Sequence, residues 1–544
     1  VLGKGRVAGS LSVKGLEKSV VKADFQADLQ LEDLARAFPI TDYTFSGALS
    51  ARVQSDGVLD AGKKRFPATD ATIQLKNGLL KTPYYPNPIE QWEVNAVING
   101  KRGTYEDLSL QLKPLSFVFE RQPFTLRADL QNPASLRYDV SAKGTLDLGK
   151  IYKVFAVKGY EMSGLLQADL SAQGTEADAV AGRYQKLQNK GTLRLANFEL
   201  HTDDYPDPFF VPGSTLRFEQ DKAWLSDAVL RYRKNEFTLN GYAQNMIGYA
   251  MGGGLLQGQL SVSSPRVVID DFMAFAAPAG KAAPAVSQPP AGVVLLPKDM
   301  DLSLKTSAKE VVYGQTVLQN FSGELALQNG KLTLRETQFN IAGATVGVEG
   351  NYAPVNARKA LFGLDFKADS FDVKRAYDEV PLFREMASAA EKASGLVSLK
   401  YELQGRLNDR MEPVYPSIKG KGVVKLEKIK VKGLKLFGAV SKATGKDDIN
   451  DPDLKAVVMK SSIANNIITI ERTKMKVLGF RPRIEGQTSL DGRLNLRFRL
   501  GLPPFGVIGI PMTVTGTSDD PLVEIRKGKE ADELEEEVDT EEDQ

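Results

Sequence analysis

The only histidine of the chain, His201, stands in the polar run His201-Thr202-Asp203-Asp204-Tyr205. An imidazole beside two carboxylates is the pairing used for metal ligation or general-base work. One histidine cannot supply the repeated imidazole ligands of a zinc hydrolase, and no nucleophile motif accompanies it. His201 therefore reads as a solvated loop residue. With no cysteine in 544 residues there is no disulfide, no thiolate metal site and no thiol nucleophile, which suits an oxidising compartment.

Three further stretches have the composition of a site without its spacing. Met251-Gly252-Gly253-Gly254-Leu255 lacks the Lys-Ser/Thr of a phosphate loop and leads into a strand, whereas phosphate cradles open a helix. It reads as a turn. Asp447-Asp448-Ile449-Asn450-Asp451-Pro452-Asp453 is rich in oxygen ligands but lacks the spacing and closing glutamate of an EF-hand, so a surface loop is expected. Among 68 acidic residues no glycosidase-like carboxylate pair stands out. The span 419–435 carries Lys419, Lys421, Lys425, Lys428, Lys430, Lys432 and Lys435 with no aromatic among them, which argues against nucleic-acid stacking. Those lysines mostly alternate with Val, Leu and Ile. They read as the polar face of an amphipathic strand pair, with contact to anionic headgroups as the second reading. The expectation is a protein that is not an enzyme, with no cofactor, no metal and no nucleic-acid partner.

What would hold such residues in place is a pattern of period two. In Arg493-Leu494-Asn495-Leu496-Arg497-Phe498-Arg499-Leu500 every even position is apolar and every odd one polar. The same parity runs through residues 124–130 and 397–403. Lys76-Asn77-Gly78 and Gln328-Asn329-Gly330 read as hairpin turns between such strands.

The pattern also repeats on a larger scale. Ser46-Gly47, Ser163-Gly164 and Ser394-Gly395 each open an alternating strand, and each copy continues into a Gly-plus-strand unit at Asn77-Gly78, Gly191 and Gly422. Strands end on short helix-like segments at 31–38, 148–155, 269–275 and 371–377, a recurrence of about 100–120 residues, the scale of a large supersecondary repeat. The third Ser-Gly copy is replaced by the Ala/Pro-rich stretch 276–298, read as a flexible linker, so the third repeat is expected to have lost its opening strand. The best helical stretch is Ser370 to Lys392, with Pro381 expected to interrupt it.

Composition is ordinary for a folded chain, at 42% hydrophobic and 25% charged, which excludes wholesale disorder. No run reaches the ~18 apolar residues of a membrane span. A net charge of +2 with −9 in the tail 529–544 leaves +11 on the preceding body, and a like-charge tail of that kind is expected to be disordered. The chain starts at Val1 already in turn-and-strand texture, so it is taken as a processed form or fragment whose targeting segment lies elsewhere.

Amphipathic strands must bury one face, and helix is too scarce to cover about thirty of them. Two solutions satisfy that requirement: a sandwich or barrel series, or a long curved sheet whose oily face receives a ligand. Periodicity alone does not separate them. Residues 461–521, with Asn465-Asn466-Ile467-Ile468-Thr469-Ile470, the Gly486 to Gly492 turn and the closing Ile510-Pro511-Met512-Thr513-Val514-Thr515-Gly516-Thr517-Ser518-Asp519-Asp520-Pro521, resemble the C-terminal module of the AsmA-like family of bacterial envelope proteins. That resemblance implies a mainly β fold, an elongated repeat-built antiparallel sheet curled into a hydrophobic groove with a few short helices between repeats. It further implies a periplasmic lipid-transfer conduit of a diderm bacterium, anchored in the inner membrane by an N-terminal segment. Its expected partners are phospholipid acyl chains, the inner and outer membranes, and envelope membrane proteins. The alternative is a structural or assembly factor for outer-membrane biogenesis.

The residues expected to line the groove are Leu126, Ala128, Leu130, Val397, Leu399, Tyr401, Leu403, Leu494, Leu496, Phe498 and Leu500. The expected organisation is a partial first repeat at 1–44, β-repeats at 45–161 and 162–275, the linker 276–298, an incomplete repeat with helix at 299–393, the AsmA-like C-terminal module at 394–528 and the acidic tail 529–544.

Overall fold

The structure is a computed structural model that describes residues 5–15, 19–33, 43–155, 162–181, 183, 186–202, 205–220, 222–246, 249, 254–273, 292–386, 388–490, 492–503 and 506–527. The acidic tail and residues 276–291 of the linker lie outside the described residues. The chain is mainly β, 72% strand against 11% helix, and its 27 described strands form one long antiparallel sheet that does not close. So little helix cannot make a second layer over such a sheet. The mainly β, antiparallel class expected is the one observed, and of the two solutions that alternation left open the sheet that does not close is the one taken.

The chain divides into two compact units, Val1–Ser263 with Asp299–Ser303, and Ser264–Lys298 with Leu304–Gln544. The first carries β1 (Arg6–Lys14), β2 (Ser19–Gln30), β3 (Thr44–Leu59), β4 (Ala68–Thr82), β5 (Tyr85–Gly100), β6 (Ser109–Phe119), β7 (Gln122–Gln131), β8 (Arg137–Asp147), β9 (Met162–Thr175), β10 (Gln188–Thr202), β11 (Tyr205–Glu219), β12 (Lys222–Tyr232), β13 (Asn235–Gln244) and most of β14 (Leu256–Val268). The second carries most of β15 (Met300–Tyr313), then β16 (Thr316–Gln328), β17 (Lys331–Ile341), β18 (Ala344–Asn356), β19 (Lys359–Asp372), β20 (Ala393–Leu407), β21 (Lys419–Val431), β22 (Asp453–Ala464), β23 (Ile467–Lys474), β24 (Arg481–Ser489), β25 (Leu494–Gly501), β26 (Gly509–Gly516) and β27 (Pro521–Ile525). From β1 to β14 and from β16 to β27 each strand pairs antiparallel with the next. Pairing continues between β2 and β3, β8 and β9, and β19 and β20, across the repeat boundaries drawn from sequence.

The large-scale repeat has a structural meaning. Short helical elements come after β2 at Leu31, β8 at Leu148–Phe155, β14 at Ile269–Phe272 and β19 at Val373–Glu379, where the helix-like segments were read. The Ser-Gly pairs then open β3, β9 and β20. Each of these glycines has positive φ, +121° at Gly47, +107° at Gly164 and +129° at Gly395. Each also lies against the backbone of the next strand, where a Cβ at Gly47 would come 2.8 Å from Gly78 Cα. That next strand is bulged opposite Gly47 and Gly164, with Asn77 and Asn197 as the extra residues, and at Glu427 between the partners of Leu396 and Val397, just past Gly395. A bulge bends the strand, and the glycine admits the close approach of the neighbouring backbone, so Ser-Gly marks a bend repeated along the sheet.

Four expectations need correction. Lys76-Asn77-Gly78 is not a hairpin turn but this bulge inside β4, because the left-handed backbone that Asn77 adopts, φ 51°, serves a bulge as readily as a tight turn. Gln328-Asn329-Gly330 does turn β16 into β17. The third repeat keeps an opening strand, since β15 comes after the Ile269–Phe272 turn and the linker and lacks only the Ser-Gly pair. The end of the expected linker is packed rather than loose: Val293 is buried and donates its N–H to Ala357 O at 2.9 Å, because 292–296 is the one apolar run in that stretch. Finally, 419–435 is not a strand pair. Lys419–Val431 is the single strand β21, and Lys435 opens a helix, Lys435–Thr444, closed by Gly445 at φ 65°. The stretch 370–392 breaks at Pro381 as expected, into helices Val373–Glu379 and Pro381–Met386.

Candidate functional site: the apolar face of the sheet

Cross-strand register converts the alternation of single strands into rows that cross the sheet. In the first unit, Ala51 sits opposite Ile73, Ile73 opposite Ala96, Ala96 opposite Leu112, Leu112 opposite Ala128, Ala128 opposite Val140, and Val140 opposite Ala172. The row extends outward through Ala27 and Val7 to the first strand. Beyond β9 a neighbouring row takes over, with Ala168 opposite Leu193, then Leu216, Leu225, Gly241 and Leu260. One face of the unit is therefore apolar along its whole succession of strands. The other face carries residues such as Arg127, Asp169 and Arg194, all exposed.

The face is concave where helix Leu148–Phe155 spans it. That helix contacts β4, β5, β8 and β9, and its Ile151 packs against the cluster of Ile89 and Phe119, as do Leu80 and Leu146. In a flat sheet β4 and β9 would stand about 24 Å apart, twice the ~12 Å length of an eight-residue helix. The strands must curl toward the helix to touch it. Asp147 caps the helix through Lys150 N at 3.1 Å, and Lys150 Nζ reaches Glu120 in the β6–β7 turn at 3.3 Å. Glu120 also accepts from Asn87 at 2.6 Å and from the Tyr85 hydroxyl at 2.9 Å. The bonds from Asn87, Tyr85 and Lys150 hold its carboxyl below the ordinary carboxylate value, and the same pair raises Lys150.

The plugs stop at the strand ends. One cluster gathers Ile89 and Phe119 under the helix, and another gathers Leu136, Tyr138 and Ala172 at the opposite edge, beside the short helix Glu176–Val180. Between them Leu115, Leu126, Ala142, Leu170 and Leu193 are only half-buried. Apolar side chains that remain half open on a concave face can take up an apolar ligand. They can do no acid–base chemistry.

Of the eleven expected groove residues, Leu126, Ala128 and Leu130 lie on this face, Ala128 buried between neighbouring strands and the two leucines half open. Val397, Leu399, Tyr401 and Leu403 share the inward face of β20. Val397 is buried and the other three are half open. The Tyr401 ring lies over Gly422, whose missing side chain makes room for it, and its hydroxyl meets Ser461 Oγ at 2.5 Å. Burial pushes that phenol upward.

The β25 residues lie deeper in the cluster that Val397 joins and Leu399 borders. Leu496, Phe498 and Leu500 do point to the apolar side, but they are 3%, 1% and 0% exposed. Phe437 of helix Lys435–Thr444 meets Phe498 edge-on at 6.5 Å, and Val440, Met512 and Val514 complete the core. Leu494 packs on the same cluster. Leu496, Phe498 and Leu500 are protein core rather than ligand surface, because the unforeseen helix fills the curl, and Val397 belongs to the same core, with half-buried Leu494 and Leu399 packed at its edge. The spacing Leu434, Phe437, Val440, Ser441, with Gly445 after it, was the signal that would have revealed it.

The residues first considered for chemistry do not assemble. His201 is exposed at the end of β10. Asp203 and Asp204 lie outside the described residues, as do Met251, Gly252 and Gly253. Asp447–Ile449 is a single helical turn, and Asp451 accepts the Gly433 N–H at 2.8 Å. Among the described residues no group of three or more His, Asp or Glu is placed to hold a metal ion, and no helix is long and apolar enough to cross a membrane. Comparison with protein-family models, curated proteins and solved structures finds no match. The AsmA-like resemblance rests on the sequence features alone.

Proposed function

We propose that the protein is a non-enzymatic lipid carrier whose uncovered apolar sheet face shelters phospholipid acyl chains. The observation that supports this reading is the pair of apolar rows crossing β1 to β14, in which small buried residues such as Ala51, Ala96, Ala128 and Ala168 alternate with larger ones, Ile73, Leu112, Val140, Leu193 and Leu225, that stay half open. Each acyl CH₂ withdrawn from water contributes ~0.8 kcal/mol, so a two-chain lipid gains strongly from such a track. An apolar face exposed over so many strands would otherwise invite aggregation. Together with the AsmA-like texture of 461–521, this favours transfer of phospholipid between the inner and outer membranes of a bacterial envelope. Lipid extracted from the purified protein and identified by mass spectrometry tests it. Stoichiometric phospholipid is expected, and a protein that is consistently lipid-free and takes up none from vesicles would overturn it.

A further inference from the structure

The outward face of β20–β22 has the opposite character to the inward one. Lys400 and Lys460 flank Val423 from the two neighbouring strands, and Lys428 stands directly opposite Lys455. Lys421 and Lys425 continue the field, and all six lysines are exposed. Like charges set opposite each other across strands are destabilising, yet among the described residues the ion pair made by these six is Lys421 with Glu402 at 3.3 Å. Glu427, whose carboxylate also feels Lys425, is hydrogen-bonded to the hydroxyls of Ser398 and Ser370, at 2.8 and 3.0 Å. Leu396 and Val458 lie exposed between the lysines, at 41% and 49%.

We propose that this face docks on an anionic lipid bilayer. The charge is spread over three strands rather than along a line, so it matches a two-dimensional array of headgroups better than an extended acidic peptide. Exposed aliphatic side chains between the lysines suit shallow contact with the acyl boundary. No aromatic shares the patch, which removes the stacking that single-stranded nucleic acid requires. The proposal deepens the lipid-carrier reading by placing a membrane contact on the back of the sheet. It fails separately from that reading, because headgroup docking and acyl binding are read by different experiments.

The test is co-sedimentation of the full chain with vesicles of phosphatidylglycerol and phosphatidylcholine in equal parts, against vesicles of phosphatidylcholine alone. Binding is expected only to the anionic vesicles and is expected to weaken with salt. Replacing Lys425, Lys428, Lys455 and Lys460 by Glu should lower it at least about tenfold, while replacement of the same four by Arg should preserve it. The control reverses Lys305, Lys309, Lys331 and Lys476, exposed lysines outside the patch. Thermal melting confirms that each variant is folded. Equal binding to both vesicles, or equal loss in the control, would overturn the proposal. So would a synthetic peptide of residues 529–544 that binds the chain lacking them through these lysines and blocks the vesicles, since it would assign the face to an acidic segment.

Discussion

Between β6 and β10 the inward leucines Leu115, Leu126, Leu170 and Leu193 are half open, whereas between β24 and β26 the inward Ile484, Leu496, Phe498, Leu500, Met512 and Val514 are sealed. Alternation is as clean in Leu126-Arg127-Ala128 as in Leu496-Arg497-Phe498. The difference lies in the short helix that each region sets against its sheet. Helix Leu148–Phe155 plugs one end of its curl through Ile151. Helix Lys435–Thr444 instead carries Phe437 and Val440 into the curl and reaches as far as β27. One short helix thus decides whether an apolar sheet face is core or surface.

The comparison can be broken by putting the same charge on both faces. Phe498→Glu buries a carboxylate in the C-terminal core and is expected to cost several kcal/mol, enough to unfold that region by circular dichroism or proteolysis. Phe437→Ala is expected to cost about 3–5 kcal/mol by emptying the contact with Phe498. Retention of full stability in either variant would mean that the helix does not seal the face. Leu126→Glu is expected to change stability by less than about 1 kcal/mol, because the carboxylate stays hydrated on a half-open face, and to remove lipid bound at that point.

A finer contrast comes from pH. Glu120 is held below its ordinary value of 4.5 by its bonds to Asn87, Tyr85 and Lys150. A carboxyl with a lowered folded-state value stabilises fully above its unfolded value and loses that contribution as pH falls through the lowered one. Docking of helix Leu148–Phe155 is therefore expected to hold from neutral pH to about 5 and to loosen in more acid solution. Hydrogen exchange of the helix amides would show this, and Glu120→Gln should abolish the added protection near neutral pH.

Much of this was legible in the residues. Period-two alternation marked the strands and their faces, and the Ser-Gly recurrence marked bends where a glycine lets the next strand's backbone come close. The break at Pro381 came from its missing N–H. What could not be read was the covering of each face, since parity states where a side chain points and not what lies over it. Arg499 is the sharpest instance. By parity it belongs to the wet side, yet it is 2% exposed, because residues 506–507 fold over it and accept from its guanidinium at 2.8 and 3.2 Å. The helix at Lys435 was hidden for a related reason, as its lysines continue those of β21 and blurred the change of period.

The central claim, that the half-open inward face and not the sealed one receives acyl chains, is tested most directly by a photo-crosslinking amino acid placed singly at Leu126, Leu193, Arg127, Arg194 and Phe498. Irradiation in the presence of phospholipid vesicles should yield lipid adducts by mass spectrometry at Leu126 and Leu193. It should yield none at Arg127 or Arg194, which face outward, and none in any folded fraction of the Phe498 variant. Adducts of equal yield at inward and outward positions, or none at Leu126 and Leu193 in a folded protein, would contradict the account.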